Sequence, residues 1–98
     1  LVLHGYSAGR FESVREGGAS LQAASALEAS VRYSVSEDRA GWKAQWVIPF
    51  EAAGIRYAPG LKLPFNACIR RTESSEWIQW VPSGATWQLD QAGDLALQ

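Results

Sequence analysis

Seven residues of unbroken alternation, from Trp42 to Ile48, constrain this chain more than any other stretch. Trp42, Ala44, Trp46 and Ile48 fall on one side of an extended backbone, and Lys43, Gln45 and Val47 fall on the other. Pro49 has no N–H to give to a ladder, so the strand stops there. Glu51-Ala52-Ala53 then suits one turn of helix, and Gly54 suits its C-terminal end. A Trp-rich strand broken by Ile48-Pro49 commits the chain to a β architecture.

The remaining sequence reads as short strands separated by turns. Leu1-Val2-Leu3 reads as the end of a strand entered from outside the chain. Residues 5–18 are turn-rich and read as irregular or as short strand pieces. Leu21, Ala24, Leu27 and Val31 have helical spacing, whereas Val31, Tyr33 and Val35 alternate with Arg32, Ser34 and Ser36. The expectation is a strand over about 29–36, entered from a short strand near Leu21. Residues 37–41 form a polar hairpin loop, and Ala58-Pro59-Gly60 is a turn. Leu61, Leu63, Phe65, Ala67 and Ile69 alternate with polar or small neighbours and predict one strand with a face in the core. Residues 72–75 form a second hairpin loop, 77–81 return as a strand, and 82–92 are a loop. Residues 94–98 end the chain as a strand with Leu95 and Leu97 inward.

This pattern predicts an all-β fold: an antiparallel, jelly-roll-like β-sandwich with one short helical turn, a single domain over 1–98. Five or six strands fall short of the roughly seven or eight of a two-sheet sandwich. The chain is therefore expected to be a small sandwich or the C-terminal part of a larger one. It has no Met and begins at Leu1, which also suggests a processed or excised piece.

Charge narrows the function classes. Nine basic and ten acidic residues, spread along the chain with net charge −1, form no patch to neutralise phosphates, which disfavours nucleic acid. No apolar run has the length of a membrane span, and no signal peptide is visible. Cys68 reads as a small packed side chain, and His4 as a plain surface or strand histidine. No nucleophile lies beside a base. A glycosidase would need two carboxylates across a cleft, and Glu73 and Glu76 read as solvated loop charges.

Tryptophan is the outlier, with five residues that all follow position 41. Trp42 and Trp46 share a strand face and are expected in the core. Trp77 and Trp80 are three apart and point to opposite faces. Ile78 and Trp80 are expected inward. Trp77 and Gln79 then share the outer face with Asn66 and Arg70, a stacking platform with directional hydrogen-bond partners. The alternative is an ordinary outer face covered by a neighbouring segment. Trp87 lies in the 82–92 loop, either as a second platform for a pyranose ring or folded back on the core edge.

The order of several short motifs resembles the C-terminal half of family-9 carbohydrate-binding modules and their DOMON-like relatives. These motifs are Gly41-Trp42 with Ile48-Pro49, then Pro59-Gly60, Phe65-Asn66, Ile78-Gln79-Trp80 with Pro82, and Gly93-Asp94-Leu95-Ala96-Leu97. The resemblance covers residues 41–98 and reaches the first forty only loosely. Gln45 stands where the family often has Glu, and Ala92 where it has an aromatic residue. The family's N-terminal half, with its metal-binding carboxylates and one binding Trp, has no counterpart here.

The resemblance implies a non-catalytic module that binds polysaccharide or oligosaccharide. Trp87 matches a loop Trp that stacks on ligand in some members. Such a module serves attached domains, for example a glycoside hydrolase, outside the cytoplasm in an extracellular or periplasmic setting. It implies no cofactor, with calcium entering only alongside the N-terminal half. Haem, bound by some relatives, usually takes Met and His ligands there, and this chain has no Met. The alternative function is a ligand-free structural or interaction sandwich of a larger secreted or outer-membrane protein.

Overall fold

Strand pairing organises the chain two by two. The computed structural model describes residues 1–85 and 87–98. Thr86, inside the expected 82–92 loop, lies outside the described residues. The regular elements are mostly β-strands in antiparallel ladders, with one α-helix and short 3₁₀ turns, as expected for the class, and each of the four ladders contains two strands. The chain divides into two units, Leu1–Arg56 and Tyr57–Gln98.

In the first unit, β1 (Val2–Gly5) pairs with β2 (Phe11–Val14), from Val2↔Val14 to Gly5↔Phe11. The N-terminal strand thus finds its partner within the chain. Helix α1 (Leu21–Ser30) follows, where a short strand near Leu21 is expected from the sequence. The reason is local. Ser20 caps the helix by accepting a hydrogen bond from the Ala23 N–H at 3.1 Å. Four alanines in LQAASALEAS carry high helix propensity, and no β-branched residue interrupts them. Val31 then turns extended and ends the helix, its N–H donating to the Leu27 carbonyl at 2.8 Å. Ala24, Leu27 and Val31, at helical spacing, are the buried apolar side chains among the described residues. The helix packs on β2.

Past Val31 the alternation takes over. Strands β3 (Arg32–Asp38) and β4 (Gly41–Val47) form the longest ladder, from Arg32↔Val47 to Asp38↔Gly41. Asp38 closes the turn, its Oδ1 accepting from the N–H groups of Ala40 and Gly41 at 2.8 and 3.2 Å. Tyr33 and Trp46 face each other across this ladder with ring centres 4.2 Å apart, and Phe11 meets Trp46 edge-on at 5.8 Å. Gly5 lies against both rings. A Cβ there would fall 2.5 Å from Trp46 Cζ2 and 2.7 Å from Tyr33 Cζ, so only glycine fits. Trp42, expected in the core with Trp46, is 42% exposed.

The expected helical turn after Pro49 is present. Ile55 N–H reaches the Phe50 carbonyl and Gly54 N–H reaches that of Glu51, at 2.8 and 3.0 Å. With Gly54 at φ +69, this is a Schellman closure.

In the second unit, β5 (Lys62–Phe65) pairs with β8 (Gly93–Ala96), and β6 (Cys68–Arg71) pairs with β7 (Glu76–Gln79). The single strand expected from Leu61 to Ile69 is therefore two strands with different partners. Asn66 makes the break. Its side-chain Oδ1 accepts from the N–H of Ala67 at 2.9 Å and of Val81 at 3.1 Å, while Nδ2 donates to the Val81 carbonyl at 2.9 Å. The amide thus stands in for a backbone pair, and the main chain is released from the ladder.

Candidate functional site

The β6–β7 ladder fixes which side chains meet. Its register sets Arg70 opposite Trp77 and Cys68 opposite Gln79, so these four share one face. The Arg70 guanidinium lies over the Trp77 indole, 5.4 Å from its centre, and the indole is 57% exposed. The pair combines a flat apolar ring with a planar five-donor cation. On the other face, Ile69 sits opposite Ile78, and Arg71 opposite Glu76 with an ion pair at 3.5 Å.

The expected partition into inner and outer faces holds for register but not for burial. Ile78 and Trp80, expected inward, are 42% and 55% exposed. Leu95, also expected inward, is exposed as well. A two-stranded ladder offers no second layer to cover them. Trp80 does pack locally. Its ring centre lies 5.9 Å from that of Phe65, and its six-membered ring lies against Gly93.

The two amides expected to serve a ligand are engaged within the protein. Besides its bonds to Val81, Asn66 Nδ2 donates to Ser83 Oγ at 3.3 Å. Gln79 Oε1 accepts from the Ser83 N–H at 2.9 Å, and its Nε2 donates to the Ser83 carbonyl at 3.2 Å. The Ser83 hydroxyl lies 2.9 Å from both Gln79 Oε1 and the Ala85 carbonyl, with one proton to share between them. Asn66 and Gln79 thus anchor the segment that leads to Trp87. Trp87 itself is exposed, just before a 3₁₀ turn at Leu89–Gln91. The structure brings together Arg70, Trp77 and Gln79, and no ring contact or hydrogen bond joins Trp87 to them among the described residues.

The first hairpin carries a polar cluster that the sequence reading missed. Tyr6 donates a hydrogen bond to Glu12, whose carboxylate also lies 3.5 Å from His4 Nδ1. His4 Nε2 lies 3.4 Å from Glu16, and the Arg10 guanidinium stands 4.5 Å from the centre of the Tyr6 ring. The hydrogen bond to Glu12, then burial and the Glu12 charge, push the Tyr6 phenol up. The same bond, with smaller help from His4 and Arg10, holds the Glu12 carboxyl below the usual range against desolvation. Burial also raises the Tyr33 phenol. The two carboxylates meet opposite nitrogens of the His4 ring, so the three groups do not converge on a point. No metal-holding group of three His, Cys, Asp or Glu side chains occurs among the described residues. The β1–β2 register, with His4 opposite Glu12, was the missing signal.

The first unit also carries an open groove of about 730 Å³ bordered by Arg10, Phe11, Arg32, Ser34 and Gln45. No helix among the described residues is long and apolar enough to cross a membrane. Compared with known proteins, the chain matches no family model, no curated protein and no solved structure.

Proposed function

We propose that this chain is a non-catalytic carbohydrate-binding module, similar to the C-terminal half of a family-9 module and belonging to a larger β-sandwich. One observation carries the reading: an exposed indole, Trp77, held beside a guanidinium on a hairpin face of fixed register. A pyranose ring offers a face of C–H bonds that packs on an indole, and its polar groups take directional donors. Trp87, exposed on the segment tied down by Gln79 and Asn66, is the second platform. In this reading the module brings an attached enzyme or surface protein to a polysaccharide outside the cytoplasm and does no chemistry itself.

The test is calorimetric titration of the chain with soluble glucans, xylans and their oligomers. A saturable heat that weakens about tenfold in Trp77→Ala supports the reading. Flat titrations with every glycan, in a chain whose NMR spectrum is dispersed, sink it.

A second reading, a ligand-free interaction domain, is favoured by the Ile69–Ile78 pair. These side chains are 49% and 42% exposed, adjacent, and on the face away from Trp77. That reading expects self-association, because two-stranded ladders leave open edges. A monodisperse monomer by light scattering would count against it.

A further inference from the structure

In the second unit, two of the three basic residues hold a carboxylate. Its basic residues are Lys62, Arg70 and Arg71. Lys62 meets Asp94 at 3.7 Å, and Arg71 meets Glu76 at 3.5 Å on the face opposite Trp77. Among the described residues, Arg70 has no carboxylate partner, and its guanidinium rests on the Trp77 ring. A neutral sugar on this face presents hydroxyls that need acceptors as well as donors, and a guanidinium supplies donors alone. The two amides expected to supply them, Asn66 and Gln79, are committed to Val81 and Ser83. The directional donor left free beside the exposed indole is therefore cationic, planar and forked.

We propose that the ligand of this face is an acidic glycan, with a uronic acid residue placing its carboxylate on Arg70 and its C–H face on Trp77. The proposal rests on the carbohydrate-binding reading and specifies the sugar class. Desolvation and hydrogen bonding both favour the acid over a neutral ring. Covering Arg70 with an uncharged ligand desolvates a cation in exchange for hydrogen bonds to neutral oxygens alone. A carboxylate instead makes two parallel, charge-assisted hydrogen bonds to the guanidinium fork. Cross-strand pairing holds Arg70 and Trp77 opposite each other, so ring and carboxylate are read at a fixed separation. No carboxylate shares this face of the ladder: Glu76 lies on the other face, tied to Arg71.

The experiment compares, by calorimetry on the full chain, a galacturonic acid oligomer with its methyl ester. Ester and acid share the ring and its hydroxyls and differ in charge. The expected result is about tenfold or greater preference for the acid. The preference falls with added salt, disappears in Arg70→Gln, and is only partly kept in Arg70→Lys, which retains charge without the fork. The acid–ester comparison needs no variant, so it stands even where a substitution fails to fold. Equal affinity for acid and ester, with glycan binding present, overturns the proposal and leaves the carbohydrate reading intact. Equal affinity for the acid and an oligoglutamate of the same charge also overturns it, since charge alone would explain the binding. Flat titrations with acid, ester and neutral glycans remove both.

Discussion

Asn66 carries an unusual share of the second unit's order. Its one amide satisfies both the N–H and the carbonyl of Val81, 15 residues away, and it stands at the break between β5 and β6. Asn66→Ala strips partners from half-buried backbone groups and is expected to cost about 1–3 kcal/mol, measured by urea unfolding. The segment leading to Trp87 loses its anchor in the same variant, so faster amide exchange at Ser83 and Ala85 is expected. Glu12 and Tyr6 give a second residue-level prediction. Glu12 titrates below the usual carboxylate range in the folded chain, so its contribution is present above that range and is lost as pH falls through the lowered folded value. Tyr6 titrates above the ordinary phenol range, so its contribution is present below that range and is lost as pH rises through the raised folded value. In Tyr6→Phe, NMR titration is expected to show Glu12 moving up towards the ordinary range, with a smaller loss of Tm in acid. An unmoved Glu12 would mean that the Tyr6 bond does not set its titration.

Among the elements, α1 shows what was legible and what was not. Both signals were present in the sequence: helical spacing from Leu21 to Val31, and alternation from Val31 onward. Each governs its own side of Val31, and the cap at Ser20 with the alanine run decides where one yields to the other. Ser20→Ala is expected to cost about 1 kcal/mol, and Leu27→Ala about 2–5 kcal/mol. Both are read from thermal or urea unfolding of the first unit's signals. The loops of the β3–β4 and β6–β7 hairpins and the helical turn after Pro49 were readable because their signals are local: alternation, polar loops and Gly54. The break at Asn66 was not, because alternation runs straight through it and its cause lies in partners 15 residues on. For the same reason the faces of Arg70 and Trp77 followed from strand geometry. The commitment of Asn66 and Gln79 to Val81 and Ser83 depends on how the 81–85 segment folds back, which no local pattern encodes.

At the scale of the whole chain, apolar side chains are plentiful but few are sequestered. Ala24, Leu27 and Val31 are the buried ones among the described residues, while Trp42, Trp77, Trp80 and Trp87 are exposed. The heat capacity and the urea dependence of unfolding both follow the area exposed on unfolding. Calorimetry is therefore expected to give a ΔCp well under the ~1.2–1.5 kcal/mol/K of an ordinary 100-residue domain, with a shallow urea transition. A value in the ordinary range would mean that the exposed rings are covered in solution by another copy. Tyr33 and Trp46, with rings 4.2 Å apart and inclined by 42°, have an optical consequence. Two chromophores this close and this tilted share their excited states, so the pair should imprint a signed couplet on the circular dichroism spectrum. Trp77 and Trp87 stand outside that pair, and a sugar resting on them would leave the couplet untouched while changing their emission. The chain would then report folding in one colour and occupancy in another, with no added label.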